Sequence, residues 1–149
     1  MNIKQIPETK IIYMRRTGVY GIENKNLMEN FKKWLKDNNL FNSDSVILAI
    51  PRDNPQTTDP KNCRYDVALV VNSFNDIEQL DINNDVLESG KYAIFTVEHT
   101  EEAIIKAMGN MFSEIDSEGH SLNARQPIIE RYAVKMVENN KCEICVPLS

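Results

Sequence analysis

Apolar positions along the chain fall into short runs and into stretches with helical spacing, and the two kinds alternate. Ile11-Ile-Tyr-Met14 is an apolar run closed by Arg15-Arg16-Thr17-Gly18, which predicts a strand feeding a turn at Gly18. Between Asn26 and Asn38 the apolar residues Leu27, Met28, Phe31, Trp34 and Leu35 recur at intervals of three and four, while Lys32, Lys33 and Lys36 fall towards the other side. That spacing predicts an amphipathic helix, with Asn38-Asn39 as a left-handed stop. Val46 to Ile50 reads as a strand ended by Pro51. The stretch to Pro60 is a loop by its three prolines and its Asn, Asp and Thr content. From Arg64 to Val71 the residues Tyr65, Val67, Leu69 and Val71 share one face of a strand.

The same order then returns. After an acidic connection from Asn72 to Ser89, containing Asp76, Glu78, Asp81, Asp85 and Glu88, Gly90 to Val97 predicts a strand. Thr100 is placed to cap a helix whose first turn holds Glu101 and Glu102, and whose apolar face is Ile104, Ile105, Met108, Met111, Phe112 and Ile115. A loop from Asp116 to Gln126 leads to a strand over Ile128 to Val137, a hairpin turn at Glu138-Asn-Asn-Lys141 and a last strand over Cys142 to Val146. The expectation is an α+β fold of two duplicated βαββ units, about residues 1–72 and 90–149 joined by an acidic linker at 73–89. Their strands form an antiparallel sheet carrying two helices, with a cleft between the halves.

Composition narrows the function. A length of 149 residues suits one compact domain of residues 1–149 that needs no disulfide or metal to fold. A net charge of −5 and a pI near 5.1 argue against a basic nucleic-acid binder. No run approaches ~20 apolar residues, so no membrane span is expected. The N-terminal residues lack a signal-peptide core, and three cysteines, an odd number, suit a reducing cytoplasm.

Glu130 stands out among the residues that could carry chemistry. On the predicted strand it shares the even, mainly apolar face with Ile128, Tyr132, Val134 and Met136, while Arg131 and Lys135 make the odd face look solvated. A carboxylate on an apolar face needs an internal cation, bordering water or a cationic ligand. Tyr13, Tyr20, Trp34, Tyr92 and Tyr132 lie on elements able to meet at the cleft, or else to fill the core. A carboxylate ringed by aromatic faces suits a large delocalised organic cation. Cys142-Glu-Ile-Cys145 matches C-x-x-C, but positions three apart on a strand point to opposite faces. Cys63, His99 and His120 complete no ligand spacing, so no metal and no cofactor is expected. His120, in a loop beside Gly119, could act as an acid–base group but has no Ser or Cys motif beside it. The lysines around Trp34 read as the solvated face of a helix.

With these motifs in place, the chain resembles the GyrI-like small-molecule-binding family, which occurs as the ligand domain of MerR- and AraC-type activators and as free-standing proteins. The resemblance runs through Tyr13-Met-Arg-Arg-Thr-Gly18-Val-Tyr20, Phe31-Lys-Lys-Trp34-Leu35, Asp53-Asn54-Pro55-Gln-Thr-Thr58, Arg64-Tyr65-Asp66, Gly90-Lys-Tyr92-Ala93 and Pro127-Ile-Ile-Glu130-Arg-Tyr132. It implies that Glu130, in the P-x-x-E-x-Y motif with Tyr132, faces a pocket for lipophilic cations. One departure is the end of the second helix. Many relatives have a Trp-Leu-Pro type ending where this chain has Met111-Phe112-Ser113-Glu114-Ile115.

Three functions follow as expectations. The first is a stand-alone sensor or sequestering module for an amphipathic cation, with no direct nucleic-acid binding. The second is a hydrolase of electrophilic toxins, with Glu130 as general base. The third is a protein-binding module, directed at gyrase or at a regulator, in which the acidic connection imitates DNA.

Overall fold

The computed structural model describes residues 1–149, with the side chain of Asp76 outside the described set. Asp76 was counted in the acidic connection, and its part there lies outside the described residues. The elements are β1 (Asn2–Ile6), β2 (Thr9–Thr17), α1 (Ile22–Asp37), β3 (Val46–Pro51), β4 (Arg64–Val71), β5 (Asn83–Leu87), β6 (Gly90–Glu98), α2 (Glu101–Ser117), β7 (Ile129–Ala133), α3 (Val134–Val137) and β8 (Lys141–Leu148).

All eight strands join one antiparallel, curled sheet in the order β1-β6-β8-β7-β3-β4-β2-β5. The order is nearly palindromic about its centre. There β3 of the first half pairs with β7 of the second, with Ala49 opposite Glu130 and Ile47 opposite Tyr132. The duplicated α+β arrangement is therefore present as one continuous sheet.

The two long helices, α1 and α2, lie on one face of that sheet. Phe31 and Leu35 of α1 pack on Ile12, Ile47 and Val67. Met111 and Ile115 of α2 pack on Ala93, Phe95 and Ile144. The opposite face carries neither α1 nor α2, yet the curl of the sheet closes it over a second core that includes Ile11, Leu48, Ala68, Ile94 and Ile129. Local signals act as their chemistry dictates. Thr100 Oγ1 accepts a hydrogen bond from the Ala103 N–H at 3.1 Å, capping α2. Asn39 sits at φ 58°, ending α1 in the left-handed region. Gly18, at φ 152°, makes the turn after β2 in a conformation that side chains disfavour.

Four expectations are corrected. Residues 83–87 of the acidic connection form strand β5 on the edge of β2, and residues 2–6 form β1 on the edge of β6. The strand expected over 128–137 stops at Ala133 and continues as the single turn α3. Four apolar-leaning residues, Val134-Lys-Met-Val137, look alike as strand or as one helical turn, so periodicity could not separate them. Ile105 and Phe112 are exposed, at 62% and 42%, because the buried stripe of α2 is narrower than the apolar stripe. Finally, the odd face of β7 is solvated only in part, since the Arg131 side chain is 38% exposed but Ile129 is not. Ile129 is buried in the second core, and Arg131 donates to Glu143 Oε1 at 2.8 Å. Among the described residues no helix is long and apolar enough to cross a membrane.

Candidate functional site

A carboxylate on a central strand has neighbours set by register, and for Glu130 these are Ala49 on β3 and Ile144 on β8. Both are apolar, and both lie on the helix-bearing face. Alternation puts Tyr132 on the same face two residues on, and its hydroxyl donates to Glu130 Oε2 at 2.9 Å. Among the described residues, no lysine or arginine forms an ion pair with Glu130. Burial pushes its carboxyl above the ordinary 4.5, and the Tyr132 hydrogen bond only partly opposes this. Burial and the neighbouring carboxylate push the Tyr132 phenol well up, so it stays a donor.

Beside this pair a cleft of about 200 Å³ opens between α1 and the ends of the central strands. Its lining includes Met28 and Lys32 of α1, Tyr65 of β4, His99 just after β6, and Tyr132. The Glu130 carboxylate is one hydrogen bond from that lining, through Tyr132. The His99 and Tyr132 rings meet at 5.4 Å, tilted by 60°. Tyr65, whose phenol is raised by burial and by the charge of Glu130, meets Tyr20 edge to face at 5.9 Å. Tyr20 in turn places its hydroxyl within hydrogen-bond distance of the Asp53 and Arg64 carbonyls, which pins the loop before α1 to the start of β4. Lys32 is half-buried at the cleft, and desolvation first, with Lys36 second, lowers its pKa. The arrangement can hold a flat or bulky apolar group against aromatic rings and set a positive charge towards Glu130.

The six residues singled out from the sequence separate in space. Glu130 and Tyr132 touch, and Tyr20 joins them through Tyr65. Trp34 stacks on Phe31, with ring centroids 6.3 Å apart and planes 7° apart, within the α1 core. Tyr13 and Tyr92 belong to the face opposite α1 and α2, where Arg15 lies 5.4 Å over the Tyr13 ring and Tyr92 lines a separate apolar cavity of about 60 Å³. Sequence reasoning passed over Tyr65, Met28 and His99. The alternation of β4 puts Tyr65 on the Val67 face, and that was the available signal; His99 stood out only as a metal ligand without partners, and no spacing ties it to Tyr132. Cys142 and Cys145 point to opposite faces, and burial raises their thiols to about 11 and about 12, so neither is a ready thiolate. Among the described residues no His, Cys, Asp and Glu group could hold a metal ion.

The model of the GyrI-like small-molecule-binding domain matches residues 1–149. The chain belongs to the GyrI-like family. A curated relative is the SPbeta prophage-derived YosT of Bacillus subtilis (strain 168), whose name proposes a transcriptional-regulator role. The two are 46% identical over 151 residues, covering 99% of this chain and 98% of YosT. Among solved structures, this GyrI-like domain is similar to the EcmrR C-terminal domain at a TM-score of 0.71 and 15% identity, over 99% of this chain and 96% of that one. Against EcmrR in its DNA complex the TM-score is 0.73 at 14% identity, and the 99% of this chain that aligns spans only 56% of EcmrR. SAV2435 bound to tetraphenylphosphonium is similar at a TM-score of 0.64 and 17% identity, over 99% of this chain and 93% of that one.

Proposed function

We propose that this GyrI-like domain binds lipophilic organic cations in the cleft beside Glu130 and acts as a sensor or sequestering module for them. The observation that carries the reading is a largely enclosed carboxylate with no cationic partner among the described residues, joined only to a phenol that lines an aromatic cleft. A cation entering there gains the neutralising charge of Glu130 and attraction to the faces of Tyr65 and Tyr132, each face contributing roughly 0.5–2 kcal/mol. The tetraphenylphosphonium held by SAV2435, a protein of similar fold, is of the same chemical class.

Titration of tetraphenylphosphonium into the wild type and into Glu130→Gln, followed by calorimetry, tests this. The expected result is micromolar binding by the wild type and at least about thirtyfold weaker binding by the variant, from losing roughly 2 kcal/mol or more of buried charge pairing. Equal affinity in the two proteins would overturn the assignment of Glu130. Absence of binding by the wild type would overturn the ligand class.

A further inference from the structure

Arginine is scarce in this chain, and four of its six arginines line one cavity: Arg15, Arg52, Arg64 and Arg125, together with Asp85 and Gln126. The cavity measures about 320 Å³ and lies where the α2–β7 loop passes the ends of β2, β3 and β4. It is distinct from the cleft beside Glu130, with which it shares no lining residue.

The hydrogen bonds around it are unevenly spent. Asp66 is fully buried and takes Arg15 through Nε at 2.7 Å and Nη2 at 2.9 Å, and Arg52 through Nε at 2.8 Å. Arg64 is held in a fork by Asp53, with Nε at 2.9 Å and Nη2 at 3.0 Å. Two guanidinium groups remain underused. Arg52 places only its Nε N–H, and its Nη2 is buried with no acceptor. The Arg125 side chain has no hydrogen bond or ion pair among the described residues; only its backbone N–H is bonded, to Asn123 Oδ1.

A buried cationic N–H without an acceptor is costly, and native proteins leave few of them. Of the four guanidinium groups, those of Arg15 and Arg52 pair with Asp66 and that of Arg64 with Asp53, while Asp85 lines the cavity without an ion pair among the described residues. The four arginines thus outnumber these three carboxylates by one, within a chain whose net charge is −5. The fork geometry of arginine matches carboxylate and phosphate oxygens, which a scattering of lysines would not do as well. Asp85 adds an acceptor on the cavity wall, suited to a ligand hydroxyl.

We infer that this arginine cavity is a second binding site, for a small oxyanion that also carries a hydroxyl, such as a hydroxylated phosphate monoester or carboxylate. Arg52 and Arg125 supply the free donors, and Arg15 and Arg64 are held in place by Asp66 and Asp53. The inference is independent of the cation reading, because it draws on another face of the sheet and on other residues.

Thermal unfolding of the full chain at 10 mM inorganic phosphate, against chloride at matched ionic strength, tests it, with acetate as a second arm that separates the two oxyanion sources. The expected result is a melting temperature raised by roughly 2–6 °C by phosphate or by acetate, whichever chemistry the site takes. Arg125→Ala should remove that shift while leaving tetraphenylphosphonium titration unchanged. Arg52→Lys, which keeps the charge beside Asp66 but not the fork, should shrink the shift. No difference among phosphate, acetate and chloride would overturn the site, and so would a shift of equal size in wild type and Arg125→Ala.

Discussion

A carboxylate set between Ala49 and Ile144, accepting one phenolic hydrogen bond, loses more solvation than the protein returns to it. Its folded-state pKa accordingly lies above the ordinary 4.5. The folded chain thus holds this proton more tightly than the unfolded chain does. Glu130 therefore adds stability below about 4.5, and that contribution is lost as pH rises through the raised folded value. Glu130→Gln keeps the shape and the Tyr132 partner but removes the charge. At pH 7 it should be as stable as the wild type or more stable by about 1 kcal/mol. The stability difference between the two should shrink as pH falls towards 4, read from urea midpoints at a series of pH values. Cation affinity should move the other way, rising with pH over the same interval. A variant that binds worse and folds better separates a functional carboxylate from a structural one, since a structural ion pair would lose stability on substitution.

At the scale of elements, the helices and the buried strands were legible because one face of each is apolar with a fixed period. Phe31 and Leu35 on α1, and Val67 and Leu69 on β4, fall where spacing puts them. Glu130 was legible for the same reason, since parity along β7 holds from Ile129 to Ala133. The edges were not. The β5 sequence, Asn83-Asn-Asp-Val-Leu87, is polar because an edge strand meets water along one side, so it reads as linker. Tyr65 and His99 were passed over because they join Tyr132 in the cleft lining from β4 and from beyond β6, and no local spacing encodes that meeting. The apolar stripe of α2 shows the converse, being wider than the surface it covers. Phe31→Ala, in a fully buried site, should cost about 3–5 kcal/mol. Phe112→Ser, at an exposed position, should stay within about 0.5 kcal/mol of wild type. Guanidinium denaturation of the two variants checks the contrast, and a large loss in Phe112→Ser would mean that its ring packs on something the fold does not display.

Across the whole molecule the edge strands change what the duplication means. β1 leads into β2 of the first half yet pairs with β6 of the second, while β5 leads into β6 yet pairs with β2 of the first. Each half therefore lends its leading strand to the other, and β3 and β7 join them again at the centre. The proposed cation cleft lies on the helix face near that central joint, so its two walls are tied by three separate strand pairings rather than by a linker. Such a chain should unfold as one cooperative unit. Replacing the adjacent residues Lys4 and Gln5 of β1 with proline removes two successive N–H groups. These point to opposite edges, so one of them faces β6. Although both side chains are exposed, the double variant should destabilise the entire molecule by roughly 2–3 kcal/mol, read as a lower urea midpoint. Trp34 fluorescence, which reports on the first half, should shift together with far-UV circular dichroism in a single transition. Two separated transitions, with Trp34 unaffected, would show instead that the halves are independent and that the exchanged strands only decorate the sheet.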